Sequence, residues 1–302
     1  MELRQLKHFV WVADLGSFSR ASESLSVAQS ALSRHVADLE LELKQRLFNR
    51  TGRGVTLSEA GKRLYAHSRG ILEQPLRAKQ DLLQRNDVPT GRVIVGLPFS
   101  VGRIFAARFV QSFAQSFPQA TLSVVEASSE HVLEWLTAGR IDIGLVFNSA
   151  EAPGIKAKLL LEDVLCLITA RKGRQSPKKL TVIHMRDLPK LPIIIPSSPH
   201  TLRTFVDARL RRVGLALDAK IEVDSVSTII DLVRLKVGDA ILPGTTLMAY
   251  PAARDLIAHR IIPRLPFRLE MAIYESRPRT IAVRRSAELI ETLIKGLVER
   301  VH

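Results

Sequence analysis

One cysteine, Cys166, stands in a chain of 302 residues. A lone thiol closes no disulfide within the chain and forms no cysteine pair for zinc, so a disulfide-stapled scaffold and a zinc-finger framework are both excluded. Its surroundings, Val164-Leu165-Cys166-Leu167-Ile168, read as a buried strand. An apolar setting raises a thiol's pKa, which argues against a redox sensor. There is no apolar run of about 18 residues and no charged-then-apolar leader, so neither a membrane span nor a secretion signal is expected and the location should be cytoplasmic. Also missing are a phosphate-cradling Gly-x-x-x-x-Gly-Lys-Ser/Thr loop and a His-Glu-x-x-His helix. His67, His131, His184, His200 and His259 are scattered without metal-ligand spacing. Neither an enzyme nor a resident metal or cofactor is expected.

Hydrophobic residues make up 46% of the chain, enough to bury a large core, and the length suggests roughly two or three units of about 100–150 residues. The formal net charge is +14. Residues 1–87 hold 14 Lys and Arg against 10 Asp and Glu, so most of the surplus lies further on. The clusters Arg171-Lys172-Gly173-Arg174 with Lys178-Lys179, and Arg277, Arg279, Arg284 and Arg285, fit a solvated basic face, DNA wrapping or attraction of an anion.

Residues 18–40 read as two short helices joined by a tight turn. Leu32, Val36, Leu39 and Leu43 recur at i, i+4, i+7 and i+11 and form one apolar stripe. Gln29, Ser30, Ser33 and Arg34 fall on the opposite face, where a recognition helix offers side chains to base edges in the major groove. Ala21 and Leu25 supply the partner helix, Val27 plugs the turn, and an earlier helix with Leu3, Leu6, Val10 and Ala13 on one side closes a three-helix core. An ordinary amphipathic helical hairpin shares this pattern. The next segment tips the balance toward nucleic acid. Arg50-Thr51-Gly52-Arg53-Gly54-Val55-Thr56 has the composition of an exposed basic turn between short strands, and Lys44, Arg46, Arg50, Arg53, Lys62 and Arg63 face only Glu59 between positions 44 and 63. Phosphate neutralisation accounts for such an excess.

Leu6 and Phe9, Gly16-Ser17-Phe18, Ala28-Gln29-Ser30-Ala31-Leu32-Ser33, Leu39-Glu40, Leu47-Phe48, Arg50 and Thr56-Leu57-Ser58-Glu59-Ala60-Gly61 together resemble the winged helix-turn-helix of LysR-type transcriptional regulators. The likeness spans residues 1–61. Ser30 stands where many members have Pro, a common first-turn residue.

Thr56 to Arg85 is a candidate long helix, opened by a capping box from Thr56 to Glu59. Leu64 and Ile71, Tyr65 and Leu72, and Leu76 and Leu83 are each seven apart, a seam suited to the same helix of a second chain or to packing on its own. Pro75 should kink it. By resemblance this is the family's linker helix, which joins protomers. Asn86-Asp87-Val88-Pro89-Thr90-Gly91 then breaks helical order.

Beyond Gly91, strands and helices alternate: strands at Arg92–Leu97, Thr121–Glu126 and Ile141–Phe147, helices at Ile104–Phe117 and Glu130–Ala138. That alternation predicts a largely parallel sheet. Gly139-Arg140-Ile141-Asp142-Ile143-Gly144-Leu145 resembles the Gly-x-Leu/Ile-Asp-x-Gly/Ala hallmark of LysR-type effector domains, whose fold is similar to periplasmic solute-binding proteins. Further strands at Val164–Thr169, Ile193–Pro196, Lys220–Val223 and Ala240–Pro243, with helices at Thr201–Val213 and Ser225–Val237, predict a second lobe. Leu269–Tyr274 and Ser286–Val301 return to the first, with crossovers near 161 and 268 acting as a hinge.

The expected fold is thus an α+β multidomain chain. A winged helix-turn-helix occupies 1–57, a linker and dimerisation helix 58–88, and a two-lobed α/β effector domain 89–302, with lobe I at 91–161 and 268–302 and lobe II at 162–267. Strand-to-helix junctions are natural anion sites, which selects Ser100, Ser128 and Ser129 in one lobe and Ser197, Thr201 and Thr245 in the other. Serine and threonine also cap helices without any ligand. The resemblance favours Ser100 and Ser129, and Glu222-Val223-Asp224-Ser225-Val226-Ser227-Thr228 resembles the nitrogen-assimilation-control branch.

The resemblance implies a bacterial regulator that binds an inverted repeat in double-stranded DNA as a homodimer or homotetramer, responds to a small-molecule effector and engages RNA polymerase. Arg34, with Gln29, Ser30 and Ser33, should read bases; Arg50, Arg53 and Lys62 should hold phosphates. The competing readings are an architectural DNA binder of weak sequence preference and a solute-binding module, the latter expected to carry an export leader.

Overall fold

Three short helices open the chain in the computed structural model, which describes residues 1–52, 54–83, 88–149, 153–171, 182–250, 253 and 255–298. Helices α1 (Leu3–Leu15), α2 (Phe18–Leu25) and α3 (Gln29–Leu43) are followed by a hairpin of β1 (Phe48–Thr51) and β2 (Gly54–Leu57) and by the long α4 (Glu59–Leu83). Leu6, Phe9, Val10, Val12, Ala21, Leu32, Val36 and Leu39 are buried together with Leu47 and Phe48 from the hairpin. Truncating one such leucine to alanine removes contacts worth about 2–5 kcal/mol. Two expected core positions are not buried: Leu3 is 49% and Leu43 37% exposed. Both sit at helix ends, and Lys44, in the left-handed region at φ 51°, turns the chain away just after Leu43.

The hairpin is held from two sides. The Glu40 carboxylate accepts from the backbone N–H of Leu47 at 2.7 Å and of Phe48 at 3.3 Å, and the Val55 N–H donates to the Gly16 carbonyl at 3.0 Å. Gly54 has φ +145°, and a Cβ there would lie 2.4 Å from the Gly16 oxygen. Only glycine allows that approach.

Helix α4 starts two residues later than the Thr56 capping box predicts. Thr56 pairs with Asn49 inside the hairpin, and Ser58 does the capping, its Oγ accepting from the Gly61 N–H at 2.9 Å. Glu59 pairs with Lys62 instead of reaching back to a cap. The helix runs on past Pro75, which has no N–H to give its ladder, for 25 residues in all, about 37 Å at 1.5 Å per residue. Leu64, Tyr65, Ile71 and Leu72 are half-buried against this chain's own N-terminal helical core. The expected Leu76–Leu83 pairing lies outside the side chains the structure describes, as do Asn86 and Asp87 of the predicted break.

Beyond Gly91 come β3 (Gly91–Pro98), α5 (Phe99–Ser116), β4 (Ala120–Ala127), α6 (Ser129–Thr137), β5 (Ile143–Phe147) and β6 (Ile155–Ala170). Then follow β7 (Val182–His184), a 3₁₀ turn, β8 (Ile193–Ile195), α7 (Thr201–Arg211), β9 (Ile221–Glu222), α8 (Val226–Arg234), β10 (Asp239–Pro243), α9 (Thr246–Ala249), β11 (Leu256–Ile262), β12 (Pro266–Tyr274) and α10 (Ile281–Val298). The sequence pattern finds most of these, but misses β7, α9 and β11. The basic run at 172–179 lies outside the described residues.

The strands form one mixed sheet in the order β4-β3-β5-β12-β6-β10-β8-β9, with β11 against β6 and β7. It is less parallel than predicted: β3 pairs parallel with β4 and β5, but β12 runs antiparallel to β5 and β6. The 16-residue β6 threads two apolar cores. Its first part pairs with β12 beside a core built on Val95, Phe105, Phe109 and Ile290; its last part pairs with β10 and β11 beside a core built on Ile195, Val206, Ile229 and Leu242. Glu162 and Arg268 face each other where β6 and β12 pass between the cores, and the register slips between Leu269 and Glu270. Such a bulge bends the ribbon locally.

Candidate functional site

Two surfaces are laid out by this architecture. On α3, Gln29, Ser30, Ser33 and Arg34 are all exposed, while Leu32, Val36 and Leu39 beneath them are buried. Gln29 Oε1 accepts from Ser19 Oγ of α2 at 3.1 Å, which fixes one residue of the face. Ala28, at the start of α3, provides no side-chain cap, so the first amides of this helix are open to an anion. Arg50 is exposed on β1 opposite Val55. Arg53 lies outside the described residues. Lys62 is exposed and paired with Glu59 at 2.7 Å; the hydrogen bond from that ammonium holds the Glu59 carboxyl below its ordinary pKa. An ion pair this exposed is weak and yields readily to a phosphate.

The second surface is a cavity of about 610 Å³ between the two cores. Four helices begin at its wall: α5 at Phe99 and Ser100, α6 at Ser128 and Ser129, α7 at His200 and Thr201, and α8 at Ser225 and Val226. Three of these starts are capped by their own side chains. Ser128 Oγ accepts from the His131 N–H, His200 Nδ1 from Leu202 N–H at 3.2 Å, and Ser225 Oγ from Thr228 N–H at 3.4 Å. Helix α5 has only Pro98 before it. Its open amides make that end the natural seat for a negative group.

The six serines and threonines selected from the sequence do not share one fate. Ser100 lies on the wall but inside the first turn of α5, not ahead of it, because the helix begins five residues before the predicted Ile104. Ser129 is buried, and its Oγ accepts from the Phe147 N–H at 3.0 Å. Thr201 donates to Glu130. Ser197 and Thr245 are absent from the wall. Ser197 gives both N–H and hydroxyl to Asp224, at 2.9 and 2.7 Å, and Thr245 gives both to Asp163, at 3.1 and 2.5 Å. Each follows a strand end and has its hydroxyl engaged by a carboxylate. Thr246, one residue on, is buried and faces in.

Arg103, Glu126 and Tyr250 are wall residues that the sequence pattern passes over. The Arg103 guanidinium sits 4.5 Å from the centroid of the Tyr250 ring, bridging α5 and the segment after α9. Burial pushes the Tyr250 hydroxyl's pKa up. Burial likewise lowers His200 against the pull of Glu130 and Asp224, and Arg103 is the arginine of this wall. Burial opposes ionisation of Glu130, but hydrogen bonds from Thr201, its own backbone and Ser128 outweigh it and its pKa falls. A helical offset of three from Ser100 would have flagged Arg103. Nothing local marks Tyr250.

Among the described residues no group of His, Cys, Asp and Glu is arranged to hold a metal ion, and no helix is long and apolar enough to cross a membrane. Residues 3–62 match the family description "Bacterial regulatory helix-turn-helix protein, lysR family" and residues 86–294 match "LysR substrate binding domain". The nitrogen assimilation regulatory protein nac of Klebsiella aerogenes is 33% identical over 248 residues, which cover 80% of this chain and 78% of that protein. Among solved structures, a single-residue variant of full-length OxyR from Pseudomonas aeruginosa superposes with a TM-score of 0.69 at 20% identity, covering 98% of this chain and 95% of that one. Full-length CbnR complexed with its target DNA gives 0.54 at 24% identity, with 97% and 100% covered. These two likenesses concern the fold.

Proposed function

This chain belongs to the LysR family of transcriptional regulators, on its nitrogen-assimilation-control-like side, and from that premise we propose how its parts divide the work. Residues 1–57 read DNA, 58–88 link protomers, and 89–302 bind an effector between a lobe of 91–161 with 268–302 and a lobe of 162–267. Arg34 reads a base edge with Gln29, Ser30 and Ser33 beside it. Arg50, Arg53 and Lys62 neutralise phosphates, and the uncapped start of α3 takes one more.

The observation that carries this reading is the exposed Ser33–Arg34 face over a buried Leu32–Val36–Leu39 stripe. A rigid helix with free polar side chains is what groove recognition requires. The chain acts as an oligomer on an inverted repeat. Exposed Trp11 and Leu82, 37% and 84% accessible, support a partner protomer along the head and linker. Contact with RNA polymerase follows DNA binding.

The effector is a small anion whose negative group sits at the open start of α5 near Ser100 and Arg103, with Ser128, Ser129 and Thr201 around it. Binding favours the closed arrangement of the lobes and so shifts the angle between protomers on DNA. A competition titration of a specific promoter duplex against random duplex at fixed salt tests the DNA half. A preference of about a thousandfold or more supports it, and equal affinities would make the protein an architectural binder instead. A thermal-shift screen of carboxylates tests the cleft, since a ligand that binds only the native state raises its stability by RT ln(1 + [L]/Kd).

A further inference from the structure

The linker helix and the first lobe meet along a seam whose residues are distinct from those of the cleft. Gly70 of α4 packs against the end of α6 so tightly that a Cβ would fall 1.7 Å from the Ala138 carbonyl oxygen. Beside this contact lies a cavity of about 140 Å³, walled by Arg69 and Glu73 of α4, Arg92 of β3, Arg140 after α6, Ser123 and Trp135. Three arginines and one glutamate thus line it, and a second carboxylate, Asp14 of α1, holds one of the arginines from outside. Arg140 lies 5.0 Å from the Trp135 ring centroid, which orients its fork. Arg69 reaches Asp14 of α1 at 3.2 Å, and among the described residues neither Arg92 nor Arg140 forms an ion pair. Burial and the like charge of Arg69 pull the Arg140 pKa below its ordinary value, against the opposing pull of Tyr65. The cavity has room for several waters at about 30 Å³ each, and guanidinium forks match the paired oxygens of an oxyanion.

We propose that this seam is a second ligand site, separate from the cleft, that takes a small tetrahedral oxyanion such as phosphate or sulfate and ties the linker helix to the first lobe. The charge surplus gives the anion its attraction. The three elements that supply the arginines give it its consequence, because an ion held by all of them binds better when they are docked and therefore favours docking in return.

Calorimetric titration of the full-length protein with inorganic phosphate, then sulfate, at an ionic strength fixed with chloride, tests this. The variants are Arg140→Gln and Arg92→Gln in the seam and Arg103→Gln in the cleft. Expected is a saturable site that weakens at least tenfold in both seam variants and persists in Arg103→Gln. Arg92 is exposed, so its variant retains the fold and keeps the experiment decisive if Arg140→Gln does not. Heat lost only in Arg103→Gln assigns the anion to the cleft and overturns the proposal, as does the absence of saturable binding. A parallel arm with random duplex DNA separates free oxyanion from backbone phosphate: seam variants that weaken duplex binding but not phosphate binding also overturn it.

Discussion

Thr201, at the start of α7, donates its hydroxyl to the carboxylate of Glu130 in the first turn of α6, so the second core is bonded to the first across the cleft. Glu130 is half-buried; burial raises its pKa, but the hydrogen bonds from Thr201, its own backbone and Ser128 outweigh it and hold the pKa below the ordinary value. A second bridge, Arg103 over Tyr250 at 4.5 Å, ties the same two sides. The two sides are therefore joined by a few polar contacts around the cavity.

Thr201→Val removes the donor and leaves the Glu130 carboxylate without its main partner, a loss of about 1–3 kcal/mol for a partly buried charged acceptor. Chemical denaturation should register that loss. Glu130→Gln, which retains an acceptor, should cost less. Equal stability of Thr201→Val and the parent chain would mean that the bond contributes nothing to joining the two sides.

On DNA, Arg34→Ala should cost about 1–3 kcal/mol on a specific duplex, relax the preference at one base pair and leave random duplex nearly unchanged. Arg50→Ala should weaken both duplexes alike and reduce the slope of log K against log salt by about one. Fluorescence anisotropy over a series of salt concentrations distinguishes the two, and parallel behaviour of the variants would refute the division of labour.

Gly70→Ala places a methyl group where backbone already stands, 1.7 Å from the Ala138 carbonyl oxygen. The linker helix must then move off the first lobe. Overpacking of this kind costs about 1–3 kcal/mol, and faster hydrogen exchange at residues 135–141 should accompany it. Unchanged exchange would show that helix and lobe do not dock this way in solution.

Three histidines share one direction of shift. Burial lowers His8, with the charges of His35, Arg4 and Lys7 adding to it; burial also lowers His200 and His259. His8 Nδ1 lies 2.8 Å from His35 Nδ1, so the two rings cannot both carry that proton comfortably. A histidine with a depressed native pKa binds its proton more readily in the unfolded chain. Its contribution is intact above the ordinary value of 6.5 and is lost as pH falls below it. Denaturation midpoints at about pH 7.5 and about pH 5.5 should show lower stability at the acid end, and His8→Asn should lessen the difference. A flat profile would contradict the burial of these rings.

Cys166 is half-buried on β6, and burial, aided by Asp163, pushes its thiol up to about 11. Native protein near neutral pH should react with iodoacetamide far more slowly than a free thiol, and Cys166→Ser should leave DNA binding indifferent to peroxide. Rapid alkylation would reopen a redox role.

Much of the reading head is legible because its signals are local. The i, i+4, i+7 spacing of Leu32, Val36 and Leu39 creates a buried side, and geometry alone then exposes Ser33 and Arg34. Local signals mislead where two patterns overlap. Thr56 and Glu59 have capping-box spacing, yet β1 claims Thr56 by strand pairing and leaves the cap to Ser58. The heptad-like pairs of α4 likewise mark an apolar side, but periodicity does not say whose core covers it, and the head of the same chain covers part of it.

The cleft separates the two levels most clearly. By itself the amino-acid order determined the family, the helix-turn-helix and the alternation that builds two α/β lobes, since each depends on residues within a few turns of one another. Only tertiary structure decided that Ser197 and Thr245 turn to Asp224 and Asp163, that Thr246, Arg103 and Tyr250 face the cavity, and that Arg69, Arg92 and Arg140 meet at one seam. Those outcomes depend on which strand ends lie side by side in space, and hydrogen bonds between residues tens of positions apart leave no periodic trace in the sequence.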